Sequence, residues 1–184
     1  AQEMITNDKV NVLAGFGLTP LAFATAPLAT QSKTPMVVMA AATSSITEAS
    51  PYVVRTSFTL PQASVALADW APKNGIKNVV TLVSDYGPGI DAEKWFKSRF
   101  EFNGGKVPES LRVPMRNPDF APFLQKVRDL KPDALFVFVP SGEGAAVLKQ
   151  FSDRGLAAAG AAVGFDPRHD GGEEDHCDGH HGRD

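Results

Sequence analysis

Residues 35–58 read PMVVMAAATSSITEASPYVVRTSF, and the first half of this stretch decides the fold. The apolar run 36–39, β-branched at Val37 and Val38, empties into a loop of small residues and hydroxyls at 40–47. A strand ending in such a loop leaves backbone N–H groups and Ser/Thr donors facing outwards. In open α/β sheets that carboxyl-end edge is where small ligands sit. The pattern recurs three times. Runs at 10–14 (VNVLA), 77–83 (KNVVTLV) and 134–139 (ALFVFV) read as strands and end in the exits 15–19 (GFGLT), 84–89 (SDYGPG) and 140–144 (PSGEG).

Helical segments separate these strands. Thr19 is placed to cap a helix over 21–31, with Pro20 suited to its first position. Residues 52–57 (YVVRTS) read as extended. From Leu60 the period changes: Ala63, Ala66, Leu67, Trp70 and Ala71 share one helical face, which Pro72 and Asn74-Gly75 terminate. A helix over 91–100 precedes Gly104-Gly105 and a strand around 107–113. Asn117 is a candidate cap with Pro118 at the first helical position, after which Phe120, Phe123, Leu124 and Val127 recur at i, i+3, i+4 and i+7. A last helix runs to about Arg154, with Gly155 as its stop. This βαβα alternation with short connections predicts an α/β class with mainly parallel strands. The exits of parallel strands share one sheet edge, so two lobes are expected to face each other through four loops, across a cleft.

The bulk properties narrow the partners. With 184 residues and 43% hydrophobic content the chain is long enough for one large domain or two small lobes around a real core. The formal charge of −3 comes with no basic stripe, which argues against nucleic acid or an anionic membrane as partner. No apolar run approaches the ~18–20 residues of a membrane span, and residues 1–9 lack the basic-then-apolar build of a signal peptide. The one cysteine, Cys177, allows no internal disulfide and leaves the redox compartment open.

All four histidines and that cysteine fall in residues 169–184. Beyond Gly160 the strand–helix pattern dissolves into Asp, Gly, His and Arg, a composition that does not fold onto a core. His176, Cys177, His180 and His181 have the chemistry of Zn²⁺ or Ni²⁺ ligands. The abrupt change of composition favours instead a shifted reading frame in a GC-rich gene.

Catalytic and cofactor motifs find little support. GFGLTP imitates G-x-G-x-x-G, yet Pro20 stands in place of the third glycine and Ala40-Ala41-Ala42 where a ribose-binding acid belongs. There is no phosphate-binding G-x-x-x-x-G-K-[ST] and no G-x-S-x-G. Asp85 and Glu143 are the plausible acids at the exits, and neither has a visible catalytic partner. The candidates that remain are binding residues. Thr43-Ser44-Ser45, near Ala41, suit a carboxylate, since N–H groups and hydroxyls stabilise one without a full counter-charge; the same residues also suit a polar turn capping a short helix at Thr47-Glu48. Tyr86 sits at the equivalent exit of a later strand, as a ligand wall or as surface filler.

By order and spacing, GFGLTPLA, PMVVMAAATSS, SPYVVRTSF, VVTLVSDYGPGIDAE and NPDFAPFLQKVRDLKPDALFVFVPSGEGAAVLKQF resemble the periplasmic substrate-binding proteins of branched-chain amino acid ABC transporters, over residues 1–156. The resemblance implies a type I periplasmic binding fold: two α/β lobes with mainly parallel sheets, joined by crossing strands and closing on a ligand. It divides the chain into part of a first lobe (1–59), most of a second (60–160) and an aberrant tail (161–184), with the crossing near 55–59. It implies a fold incomplete at both ends, and hence a marginally folded fragment. It further implies that Phe16, Gly17, Leu18 and Thr19, together with Ala41, Ala42 and Thr43, hold a ligand carboxylate. Tyr86 would pack on the ligand and Ser141 would make a further contact, at a position where many relatives carry an aromatic. The acid that often holds an amino-acid ammonium would fall in the tail region. The implied ligand is therefore a branched-chain amino acid or an aromatic carboxylate. No cofactor or catalysis is implied; a membrane permease is the implied partner and the periplasm the location. A ligand-sensing receptor domain of the same fold is the alternative.

Overall fold

The computed structural model describes residues 1–115, 118–140 and 142–157, and the backbone of 162–165. In chain order the elements are α1 (Gln2–Thr6), β1 (Leu13–Gly15), α2 (Thr19–Ser32), β2 (Met36–Val38), a 3₁₀ turn (Ser44–Glu48), β3 (Val53–Arg55), α3 (Leu60–Lys73), β4 (Val79–Ser84), α4 (Gly87–Phe102), β5 (Ser110–Val113), α5 (Ala121–Leu130), β6 (Ala134–Phe138), α6 (Gly144–Asp153) and β7 (Ala162–Phe165). They build two sheets, ordered β1-β2-β3 and β5-β4-β6-β7. Every pairing in both is parallel. The expected α/β class with parallel strands is the one observed. Helix α3 carries the chain from one sheet to the other.

The second sheet is covered on both faces. Val80, Leu82, Leu111, Val113, Leu135 and Val137 pack against Phe120, Leu124 and Val127 of the α5 region and Val147 and Phe151 of α6. On the other face Val79, Val83, Ala134 and Phe136 meet Leu60, Ala68 and Ala71 of α3 and Ala92, Phe96 and Phe100 of α4. Phe96 stacks on Phe136 with ring centroids 4.3 Å apart and on Phe100 at 5.3 Å. A parallel strand between two helical layers has no solvated face, which is why β4 is apolar almost throughout and buried at all its positions. Of its two polar residues, Thr81 and Ser84, Thr81 donates its hydroxyl to Glu93 Oε1 at 2.7 Å. Glu93 is only 4% exposed, and Arg112 donates to its other oxygen at 2.9 Å. A carboxylate so deep is tolerated because both oxygens are partnered.

The first sheet is covered on one face. Leu13, Met36, Val38 and Val53 pack on Ala22, Ala26 and Ala29 of α2 and on Ile46. The alanines let α2 lie close to the strands. Across the sheet, Met39 and Val54 are 59% and 54% exposed.

Several local expectations are corrected. The buried stripe of α3 is Leu60, Ser64, Ala68 and Ala71; Ala66 and Trp70 face solvent. Small residues win that face because α3 lies directly against α4, where Asn103 reaches Ala68 O and Asp69, and a tryptophan has no room. Pro72 is within the last turn of α3 rather than its terminator, and the helix stops at Asn74 before Gly75 at φ +80°. Helix α4 begins at Gly87, not at residue 91. Pro88 lacks an N–H that a first turn leaves unused. A Cβ on Gly89 would collide with the carbonyl oxygen of Ser84, so only glycine fits there. Pro118 precedes α5, whose start is marked by Asp119 accepting from the Ala121 N–H at 3.0 Å; Asn117 lies outside the described residues. The strand pattern also continues past Gly160, since β7 pairs with β6 from Ala134↔Ala162 to Val137↔Phe165. A four-residue run diluted by alanine and glycine does not announce itself as a strand; its partner supplies the register. The histidine-rich segment lies outside the described residues.

The base of the second sheet is tied by one side chain. Asp133 Oδ2 accepts from the N–H groups of Lys77 and Asn78, each at 2.8 Å, joining the entries of β4 and β6. These two donors hold its carboxyl pKa below the ordinary value. Because the folded-state pKa is depressed, the stabilisation is present above the unfolded value of ~3.9 and is lost as pH falls through the folded one. Asp133→Asn is expected to lower the melting temperature at pH 7 by about 2–4 °C, and the gap to the parent should narrow as pH falls below ~3.9 in circular-dichroism melts. Gly89→Ala should destabilise by about 1–3 kcal/mol in urea unfolding, the usual cost of forcing an atom into occupied space.

Candidate functional site

Both sheets turn their carboxyl ends toward one cleft. Its wall from the first sheet is Gly17, Leu18 and Thr19 from the β1 exit and Ala41 and Ala42 from the β2 exit; Phe58 and Leu60 come from the connection to α3. The facing wall is Tyr86 and Pro88 from the β4 exit and Val137, Phe138 and Val139 from the end of β6. No Asp, Glu, Lys, Arg or His is among these described lining residues. The enclosed space is about 30 Å³. That holds one or two waters, far below the roughly 300 Å³ at which small-molecule pockets begin. A ligand the size of an amino acid or a benzoate therefore enters only when the two walls stand further apart.

The β1 and β2 exits are stitched together before any ligand is considered. The Met39 N–H donates to Gly15 O at 2.7 Å and the Ala41 N–H to Phe16 O at 2.9 Å. To accept the second bond, Phe16 adopts φ +65°, a left-handed backbone that few non-glycine residues take up. Its side chain packs against the first-sheet core and is not part of the cleft wall, because the backbone turn aims the ring back at the strands. Thr19 does not cap α2; Leu18, with extended backbone, occupies the cap position. The Thr19 hydroxyl lies instead 2.8 Å from that of Thr43, both residues being buried. Thr43 stands at the cap of the 3₁₀ turn but makes no side-chain capping bond. The plain polar-turn reading of residues 43–45 thus leaves out what the Thr43 hydroxyl does, which is to pair with Thr19. Thr19 reaches the cleft directly; Thr43 reaches it through Thr19.

Two helix starts meet the cleft, that of α2 at Thr19 and that of α4 at Gly87, where Tyr86 is the cap residue. Helix N-termini carry N–H groups without intrahelical partners and the positive end of the peptide dipoles, so they favour an anionic group without a formal cation. Burial pushes the Tyr86 phenol up to about 12, so it stays neutral and able to donate at any ordinary pH. A hydroxyl pair beside helix N-termini, facing aromatic and branched apolar side chains, suits a carboxylate on an apolar body.

Two polar residues missed by sequence reasoning hold the β2 exit in place. Arg55, at the end of β3, donates through Nη1 to Thr43 O at 2.6 Å and through Nη2 to Ser44 O at 3.2 Å. Burial lowers its pKa from the ordinary value, and the nearby charge of Asp91 opposes that shift. Asp91, in α4, accepts from the Ser44 N–H at 2.8 Å and the Ser44 hydroxyl at 2.9 Å. An arginine closing a β-branched run and an aspartate in a helix's first turns are unremarkable in sequence, so neither stood out. Phe58, Leu60, Pro88 and the 137–139 segment were likewise legible only as core or connection. Of the expected site residues, Gly17, Leu18, Thr19, Ala41, Ala42 and Tyr86 come together at the cleft, with Thr43 one layer behind. Ser141 lies outside the described residues. Asp85 is exposed and Glu143 is half-buried ahead of α6; neither lines the cleft. Among the described residues, no group of three or more His, Cys, Asp or Glu is placed to hold a metal, and no helix is long and apolar enough to cross a membrane.

Comparisons with known proteins agree with this geometry. A family model described as periplasmic binding protein matches residues 1–180. A Leu/Ile/Val-binding protein homolog from Brucella abortus is 47% identical over 161 residues, which are 87% of this chain and 41% of that protein. A solute-binding protein of an ABC transporter from Rhodopseudomonas palustris BisB5, solved with 3,4-dihydroxybenzoic acid, is 63% identical with a TM-score of 0.84; the match covers 88% of this chain and 45% of that one. A second R. palustris solute-binding protein, solved with 4-hydroxybenzoate, is 50% identical with a TM-score of 0.85, covering 88% and 44%. The chain thus spans less than half the length of the relatives it matches. With this match and this fold, the chain belongs to the periplasmic binding protein family, whose members bind rather than transform their ligands.

Proposed function

We propose that this chain is part of the solute-binding component of an ABC importer and that its cleft takes an aromatic carboxylate. The observation that carries the reading is the Thr19–Thr43 hydroxyl pair, set beside the start of α2 and across from Tyr86 and Phe138. In this reading residues 1–59 belong to a first lobe. The second begins at residue 60 and extends through β7. The carboxylate lies against Thr19 and the Gly17–Leu18 and Ala41–Ala42 backbone, with Thr43 fixing the direction of the Thr19 hydroxyl. Tyr86 covers the ring. The aromatic acids bound by the two R. palustris proteins, at 63% and 50% identity, support that choice over an amino acid. The whole protein works in the periplasm, and a membrane permease reads its ligand-closed form.

The reading is tested by calorimetric titration with 3,4-dihydroxybenzoate, 4-hydroxybenzoate, benzoate and leucine. At least one hydroxybenzoate should bind tenfold or more tightly than leucine; a preference for leucine would return the site to the amino-acid class. Thr19→Val, which keeps shape and removes the hydroxyl, should weaken the best aromatic acid by about 1–3 kcal/mol, and Thr43→Val by about 1 kcal/mol. Because the Tyr86 phenol stays protonated well above its usual range, affinity for benzoate, which has no phenol of its own to titrate, should be flat between pH 7 and 9.5. A fall across that interval would mean that a titrating group other than Tyr86 holds the ligand.

A further inference from the structure

A ligand-sized space requires the walls to separate, so whatever joins them when closed governs how long a ligand stays. Among the described residues, and away from the chain connection where the Leu60 N–H meets Ala42 O at 2.8 Å, two side-chain hydrogen bonds cross from the first-sheet layer to the second. Both run from Ser44 to Asp91. Ser44 adjoins Thr43 on the β2 exit, and Asp91 is on α4, three residues beyond the cleft-lining Pro88. Neither Ser44 nor Asp91 lines the cleft. The contact is bidentate: the backbone N–H takes one carboxylate oxygen and the hydroxyl the other. Bonds to an ionised acceptor are stronger than neutral ones and fix orientation as well as distance. Arg55 completes the arrangement from behind. Its guanidinium donates to the Thr43 and Ser44 carbonyls and faces the charge of Asp91. The loop that presents Ser44 is therefore held rigid from the first-sheet side while Asp91 reaches it from the other.

We propose that Asp91, bonded to Ser44 and backed by Arg55, is a latch that sets the lifetime of the closed cleft without touching the ligand. This rests on the ligand-binding reading above for its functional consequence, but not for its structural one. Separating the walls breaks both Ser44–Asp91 bonds while the Arg55 bonds, internal to the first-sheet layer, survive. Removing the latch should therefore speed dissociation, and association should hold or rise, because a ligand enters the separated form, which lacks these bonds and is more populated without them.

The test uses the full chain with Cys177→Ser and spin labels at Gln31→Cys on α2 and Ser98→Cys on α4, both exposed. Pulsed electron-spin distances in ligand-free protein are expected to show one short population. Asp91→Ala should add a longer, broader one, and Asp91→Asn, which keeps one acceptor, should lie between. Unchanged distances in both variants would overturn the latch. Circular-dichroism melts of both variants check folding, and the milder variant keeps the test open if the alanine form does not fold. Stopped-flow binding of 3,4-dihydroxybenzoate adds the second readout. Asp91→Ala should raise the dissociation rate about tenfold with association equal or faster; slower association would indicate damage to the site and overturn the latch. If the parent binds no aromatic acid yet Asp91→Ala still lengthens the distances, the ligand assignment fails and the latch stands.

Discussion

The carbonyl oxygens of Thr43 and Ser44 converge on one guanidinium, that of Arg55, and the cleft depends on that convergence. A loop at a strand exit has backbone acceptors and donors that must find partners. With its acceptors turned inward to Arg55, this loop is free to spend its donors outward. The Ser44 N–H and hydroxyl go to Asp91 and the Thr43 hydroxyl to Thr19. Arg55 is in register with Val38 on the neighbouring strand, so the parallel pairing of β2 and β3 sets where the guanidinium stands. The pairing of β1 and β2 in turn sets where Phe16 and Ala41 meet. Sheet register, loop shape and hydroxyl position are one chain of causes.

How much of this was legible in the sequence varies by kind of feature. The βαβα order was, because β4 and β6 are near-continuous apolar runs that only a doubly covered parallel sheet accommodates. The cleft was too, because four exits rich in small residues and hydroxyls follow from strand direction alone. Features decided by packing were not. Helix α3 presents Ser64, Ala68 and Ala71 to α4 and leaves Trp70 in solvent, the reverse of what hydrophobicity suggests, since closeness of approach outweighs side-chain size there. The start of α4 at Gly87 depends on the Ser84 carbonyl filling the space beside Gly89. At the site, Thr19 and Thr43 were identified one at a time; their pairing 24 residues apart is a property of the sheet. Arg55 and Asp91 carry no local pattern at all, and only the folded chain brings them near one another.

The electrostatic character of the cleft follows from the same economy. Its described wall holds no charged side chain, and its polar groups are hydroxyls, helix-start N–H groups and a phenol kept neutral by burial. Such groups stabilise an anion without a counter-ion that would have to be desolvated with it. The charged groups stand one layer back, where Arg55 and Asp91 hold the loop and bridge the walls. In the proposed reading recognition and closure fall to different residues, so ligand preference and residence time are separable.

The measurement that bears most directly on this account is a crystal structure of the protein grown with 3,4-dihydroxybenzoate. The account predicts the carboxylate within hydrogen-bond distance of the Thr19 hydroxyl, which remains paired with Thr43, and the ring against Tyr86. A ligand whose carboxylate faces the β6 wall, or one bound outside the cleft, would contradict it.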